Sequence, residues 1–323
     1  MRSILQALDN FDQHQDYIVA IIIDTGGSTY RKSGAMMLVD TKLNYWGLLS
    51  GGCLEGDILV HCESVFSQQK NQILEYNMRD ESDMLWGMGL GCDGEVSILL
   101  KYLPANRQHY DFFSNLKRLN NGTSLNLSID QNKNYHFRFE EQSSANRKTT
   151  ESNNLLCIPL KAPHHLLVCG GSPDVPPVTA IAHQIGWKTT VIDHRQNYAN
   201  ENKFPFSNSV QLVKRSNWKD FDLQGFDSVI IMSHQFERDL SYLARLIESP
   251  ISYIGLLGPR KRRDKLLEQY GTSFRLQEGR VFGPIGLDIG ADTPETIALA
   301  IVSEIQAVMN DKQVGFCYRD PTR

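Results

Sequence analysis

The second half of the chain carries the pattern that most restricts its fold. Leu166-Leu167-Val168-Cys169 is an apolar run of the length of a strand buried on both faces. A Gly-Gly-Ser-Pro turn follows, then a helical stretch over about 176–185 that Gly186 closes. Residues 189–192 read as the next strand, ending at Asp193. Residues 228–232 read as a third, ended by Ser233-His234 and followed by a helix over 237–247. A strand over 253–257 and a helix over 260–270 repeat the unit. Thr293 and Pro294 then open a last helix with Ile297, Ile301, Ile305 and Val308 down one face. Strands that alternate with helices in this way must pair in parallel, because the helix is the crossover. The spacing therefore predicts an α/β chain in which residues 161–323 form a Rossmann-like, doubly wound parallel sheet, with ligands expected where strand ends meet helix starts.

Residues 1–105 read as a smaller α+β domain. An amphipathic helix is expected near the start, from Ile4, Leu5, Leu8 and Phe11, followed by a strand over 17–24 that stops at Thr25-Gly26-Gly27-Ser28. Two further strands are expected over 36–39 and 45–49. Ser50-Gly51-Gly52-Cys53-Leu54-Glu55 then opens a helix through about 66, with Ser50 as its cap. A glycine-rich stretch over 87–94 precedes a strand over 95–100. Residues 106–160 read as a hairpin region, turning at Asn121-Gly122, and a polar linker.

Composition excludes several partners. The 323 residues carry 33 Lys+Arg against 37 Asp+Glu, a net charge of -4, so no overall field attracts nucleic acid. No apolar run approaches the roughly 20 residues of a membrane span. The first residues run into Asp9, Asp12 and Asp16, unlike the apolar core of a secretory leader. The six Cys lie far apart with no Cys-x-x-Cys pair, which argues against structural zinc and for reduced thiols in the cytoplasm.

Two groups of residues carry chemistry. Gly170 and Asp193 stand where a dinucleotide-binding turn needs them, with Gly171 next in that turn, so an NAD(P)-dependent oxidoreductase is one reading. Ser172 and Pro173 depart from that turn, since Pro173 has no N–H and Asp174 adds a negative charge. Arg195, His234 and Arg260 are expected at the same crevice. His234 faces either a ligand or a hydrogen-bonded core, and Arg260 is the member of the Arg260-Lys261-Arg262-Arg263 run best placed for a phosphate. In the first half, Cys53 and Cys92 each sit beside glycines on a loop, where backbone approaches a ligand closely and a thiolate is a soft donor. Glu55 either orients a ligand or caps its helix. Arg31 and Lys32 either meet an anion or lie on a solvated hairpin.

With those residues the sequence resembles the XdhC/CoxI family of xanthine dehydrogenase accessory proteins. The strings that carry the resemblance in the first half are Gly27-Ser28-Thr29-Tyr30-Arg31-Lys32-Ser33-Gly34-Ala35-Met36, Ser50-Gly51-Gly52-Cys53-Leu54-Glu55 and Gly89-Leu90-Gly91-Cys92-Asp93-Gly94. The second half adds Val191-Ile192-Asp193-His194-Arg195, Met232-Ser233-His234 and Pro284-Ile285-Gly286-Leu287-Asp288-Ile289-Gly290. The chain departs from the commonest family pattern at Tyr30, Ser33, Ser172 and Pro173. The resemblance implies a homodimeric maturation factor with no turnover of its own. Such a factor binds molybdenum cofactor (molybdopterin) while a cysteine desulfurase supplies the sulfido ligand, then delivers it to a molybdenum hydroxylase such as xanthine dehydrogenase. Independently of the resemblance, soft thiolate sulfur makes Cys53 and Cys92 suitable neighbours for the molybdenum or for a sulfur donor. Because molybdopterin carries one terminal phosphate, a single helix N-terminus with a nearby Arg suits it.

Overall fold

A computed structural model describes residues 2–8, 11–12, 14–77, 94–142, 150–152, 154–270 and 279–315. The chain divides into two compact units, Met1–Ala162 and Pro163–Arg323.

The first unit begins with the helix α1 (Arg2–Gln6) and the long strand β1 (Tyr17–Gly27), followed by β2 (Met36–Asp40) and β3 (Tyr45–Trp46). The helix α2 (Glu55–Gln68), the strands β4 (Gln72–Asn77) and β5 (Gly94–Leu103), and the helix α3 (Arg107–Asn120) come next. The strands β6 (Leu125–Asp130), β7 (His136–Glu141), β8 (Thr150–Ser152) and β9 (Leu155–Leu160) complete it. Among the described residues, an antiparallel sheet runs in the order β3-β2-β1-β5-β4 and a second in the order β7-β6-β9-β8. Strand period two explains why β1 is apolar at every early position. Tyr17, Val19 and Ile21 enter one core with Phe112, Leu116 and the second sheet, while Ile18, Ala20 and Ile22 enter another with Ile58, Cys62 and Val65 of α2.

The segment 106–160 is therefore no mere hairpin and linker. It holds α3 and the four strands of the second sheet, and Leu127, Ile129, Leu156 and Ile158 are buried in the core of β1. The periodic signal was present, since Phe112, Phe113, Leu116 and Leu119 lie on one face of α3. Polar neighbours diluted it.

The second unit comprises β10 (His165–Cys169), α4 (Val175–Gln184), β11 (Lys188–Asp193), β12 (Ser209–Leu212) and β13 (Ser228–Ile231). After these come α5 (Phe236–Ile247), β14 (Tyr253–Leu256), α6 (Arg260–Tyr270), β15 (Val281–Phe282) and α7 (Pro294–Met309). Among the described residues its sheet is wholly parallel, in the order β12-β11-β10-β13-β14-β15. This is the doubly wound arrangement expected from the sequence. On one face α4 and α7 bury Val178, Ala182, Ala298 and Ile301, and on the other α5 and α6 bury Tyr242, Leu243, Leu246 and Leu266. From β10 the chain first builds outward through β11 and then crosses back to β13. The C-terminal ends of β10 and β13 thus flank the reversal point, where open α/β sheets place their ligands. The sequence reading missed the edge strand β12 and the two-residue β15.

Candidate functional site

Each unit presents its own group of candidate residues. In the first unit the loop before α2 is built by Glu55. This residue is 3% exposed, and its carboxylate turns back over the loop. Oε1 accepts hydrogen bonds from Leu49 N at 2.8 Å and Ser50 N at 2.9 Å, and Oε2 from Gly52 N at 2.8 Å and from the Ser50 hydroxyl. Burial alone would raise the Glu55 pKa. The Ser50 hydroxyl and the Ser50 and Leu49 N–H groups outweigh it and hold the carboxyl below its ordinary value. Glu55 thus clamps a loop; its oxygens are already engaged. Ser50 does not cap α2, because its Oγ accepts from Leu54 N at 2.7 Å, and the N-cap residue is Leu54 itself.

The clamp forces the chain through positive φ at Gly51 (80°) and Gly52 (114°), which leaves the Cys53 thiol exposed. A Cβ on Gly51 would stand 3.0 Å from the ring of Tyr30, so Tyr30 lies across this loop and brings the Arg31-Lys32 turn beside it. Arg31 and Lys32 are both exposed. A Cβ on Gly94 would fall 2.5 Å from Ser28 O, which seats Gly94 against the same turn. Cys92, two residues earlier, lies outside the described residues. Of the free cysteines, Cys62 is pushed up to about 12 by burial and Cys169 is raised well above its ordinary value by burial. Neither is a thiolate near neutrality. Among the described residues no group of three or more His, Cys, Asp or Glu is placed to hold a metal ion.

In the second unit, Gly170, Gly171, Ser172, Asp193, Arg195 and His234 do gather at the strand ends, though in other roles than a dinucleotide turn requires. Gly170 has φ +132°, and a Cβ there would stand 2.5 Å from Met232 O; one on Gly171 would stand 2.7 Å from Tyr198 O. The buried Asp193 accepts from Gly171 N at 2.9 Å and from Arg195 through N (2.8 Å), Nε (2.9 Å) and Nη2 (2.7 Å). Burial opposes its charge, yet the Arg195 side chain and the two backbone N–H groups keep its pKa below the ordinary value. Arg195 in turn lies 3.7 Å above the Tyr198 ring. Ser172, also buried, donates from Oγ to Met232 O at 3.2 Å.

The N-terminus of α4 departs from the expected phosphate cradle. Pro173, Pro176 and Pro177 have no N–H, and Val175 N donates to Ser172 O at 3.0 Å. Asp174, the N-cap, makes no capping bond and instead places Oδ2 2.9 Å from His234 Nε2. His234 itself adopts φ +60° and is exposed. Of the basic run on α6, Arg260 and Lys261 stay exposed, while Arg262 reaches Asp239 at 2.7 Å. Asp239 also accepts from the Ser233 hydroxyl at 2.5 Å. Sequence reasoning missed Ser233, Asp239 and Tyr198. Only the Met232-Ser233-His234 string pointed near them.

These features define a bipartite α/β protein, an antiparallel unit with a thiol-bearing glycine loop and then a Rossmann-type parallel unit. Residues 11–77 match the profile described as the XdhC and CoxI family, and residues 166–305 match the XdhC Rossmann domain. The chain belongs to the XdhC/CoxI family. It is 28% identical to a Bacillus subtilis (strain 168) protein named as a probable subunit of xanthine dehydrogenase, over 91% of this chain and 93% of that protein. It is 22% identical to the "Molybdenum cofactor insertion chaperone PaoD" of Escherichia coli (strain K12), over 93% of this chain and 86% of that one. A crystal structure named as a xanthine dehydrogenase from Bacillus halodurans superposes with a TM-score of 0.81 at 28% identity, over 99% of this chain and 98% of that chain. No helix among the described residues is long and apolar enough to cross a membrane.

Proposed function

We propose that this chain is an accessory protein that binds molybdenum cofactor, guards it during sulfuration and passes it to a molybdenum hydroxylase of the xanthine dehydrogenase class. The observation that carries the reading is the exposed Cys53 thiol on a loop whose backbone Glu55 fixes. Likeness to a relative named as a cofactor insertion chaperone, over nearly the whole of both chains, supports it. The residues fit the group, since a soft sulfur donor and the exposed cations Arg31 and Lys32 lie on neighbouring loops of one unit. When bound, the cofactor supplies the molybdenum centre and its sulfur-accepting position. Cys53 would meet that centre and Arg31 would screen its phosphate charge, while Glu55 keeps the loop in shape; Cys92 is assigned beside Cys53 on the sequence alone. In the second unit Gly170, Gly171, Ser172 and Asp193 hold a turn that Arg195 braces, and His234, paired with Asp174, and the exposed Arg260 are the further residues this reading assigns to an anionic ligand. In this reading a cysteine desulfurase provides the sulfur, and the chain works as a cytoplasmic homodimer without turnover of its own.

An NAD(P)-dependent reaction draws little support from the second unit. The ribose-binding acid of such a site must keep free oxygens, whereas Asp193 is closed off by Arg195 and Gly171. Three prolines around the start of α4 remove donors that a pyrophosphate needs.

The test mixes purified protein with cofactor released from a molybdenum enzyme and follows its oxidative loss. The parent protein is expected to slow that loss several-fold, and Cys53→Ala to abolish most of the protection with an unchanged melting temperature. Equal protection by Cys53→Ala overturns the thiol assignment. Calorimetry with NAD(H) and NADP(H) is expected to show no binding at millimolar nucleotide.

A further inference from the structure

Arg238, in the first turn of α5, is 2% exposed and lacks a counter-charge of its own among the described residues. Its Nε finds no acceptor, its Nη2 reaches only Val213 O at 3.4 Å, and its guanidinium lies 4.3 Å from the centre of the Tyr242 ring. The nearby carboxylates are engaged elsewhere: Asp239 by Ser233 and Arg262, Asp193 by Arg195 and Gly171. The Tyr242 hydroxyl, fully buried, has the Arg238 side chain as its polar neighbour. A buried cation whose partners are a carbonyl and a tyrosine, both neutral, is costly unless an anion completes it.

Neighbouring groups point the same way. Val213 N donates to Asp193 O at 2.9 Å, so the chain leaving β12 is held against the end of β11, where His194 stands. Two residues on, Arg215 Nη2 approaches Gln235 Oε1 at 3.4 Å, joining that segment to the residue before α5. Gln235 is the N-cap of α5 and makes no side-chain capping bond. Burial, together with the charges of Arg238, Arg195 and Arg215, holds the His194 pKa below its ordinary value against the pull of Asp193. The ends of β11 and β12 and the first turn of α5 carry Arg195, Lys214, Arg215 and Arg238 against Asp193, Asp239 and the exposed Glu237, and Arg195 and Arg262 already engage Asp193 and Asp239.

We propose that the second unit binds an oxyanion of the phosphate class where the ends of β11 and β12 meet the first turn of α5, with Arg238 as its positioned cation and His194 and Arg215 beside it. A guanidinium offers a planar fork to such an ion, and a tetrahedral dianion has acceptors enough for several donors at once. This site stands on the second unit alone and is independent of the thiol loop and of the cofactor reading. Two sources share the chemistry, free inorganic phosphate and a phosphate monoester.

The test uses the full chain, with inorganic phosphate and glycerol 2-phosphate as probes and sodium chloride at matched ionic strength as the control. Calorimetry gives the affinity and a thermal melt gives the stabilisation. Phosphate is expected to bind and to raise the melting temperature relative to chloride. Arg238→Met, close in volume and without the charge, is expected to weaken phosphate at least about tenfold, as loss of a charge-assisted hydrogen bond does. Its melting temperature without phosphate is expected to equal or exceed that of the parent. Arg215→Ala, at an exposed position, is expected to weaken phosphate several-fold and leave that temperature unchanged. Tighter binding of the monoester assigns an esterified occupant, and binding of inorganic phosphate alone assigns the free ion. The proposal is overturned if phosphate acts no differently from chloride on the parent, or if a folded Arg238→Met binds it as well as the parent. Should Arg238→Met fail to fold, undiminished binding by Arg215→Ala overturns it.

Discussion

Asp193 shows how one carboxylate can hold a whole turn. It is fully buried, yet it stays ionised because Arg195 meets it twice and the N–H groups of Gly171 and Arg195 point at it. Its folded pKa is depressed, so its contribution to stability is complete above the unfolded value near 4 and is lost as pH falls through the folded value. Glu55 behaves alike in the first unit. Urea melts are therefore expected to lose stability in two stages, first below about pH 6.5, where His164, His165 and His194 take protons unfolded but resist them folded, and again below about 4 as these carboxylates protonate. Asp193→Asn is expected to cost about 3 kcal/mol or more at pH 7, since it leaves the charge of Arg195 partly buried and unpaired. Because part of the acid sensitivity belongs to Asp193, the difference between Asn variant and parent should shrink as pH drops from 5 to 2. A constant difference across that range contradicts the assignment.

At the scale of the element, the helix termini divide into those that local sequence decides and those that tertiary contacts decide. Thr293 and Thr296 form a reciprocal box at the start of α7, with Thr296 N donating to Thr293 Oγ1 at 3.3 Å and Thr293 N to Thr296 Oγ1 at 3.0 Å, and Pro294 occupies the first helical position. That terminus was legible in the sequence. Thr293→Ala is expected to cost about 1 kcal/mol, seen as a lowered urea midpoint with unchanged slope, and Thr293→Ser to restore most of it. The start of α2 was not legible, because Ser50 looks like a cap while Glu55 draws both oxygens back over the loop. The charged residues at the start of α5 likewise gave no local sign of their role. Charged residues are seldom buried, yet Arg238 and Asp239 are each 2% exposed.

Across the whole molecule, the legible parts are those in which a strand is buried on both faces. β10, β11, β13 and β14 are runs of this kind, and the sequence located all four. The edge strands β12 and β15 have one neighbour each and are only partly buried, so no apolar run marks them. The candidate site divides in the same way. Spacing alone placed Gly170, Asp193 and His234 at one end of the sheet, but two residues of separation gave no sign that Arg195 would fold back onto Asp193. Burial also shows how the chain is partitioned. The apolar clusters built on β1 draw on residues of the first unit only, and those built on β10 only on residues after Pro163. A chain of that size, about 160 residues, buries roughly 70% of its unfolded surface, enough for independent stability. Residues 163–323 expressed alone are therefore expected to unfold in one cooperative transition, with native near-ultraviolet dichroism from Trp187 and Trp218, both buried in the clusters of this unit. A broad, non-cooperative melt with exposed apolar surface would show instead that the parallel sheet needs the first 162 residues to close.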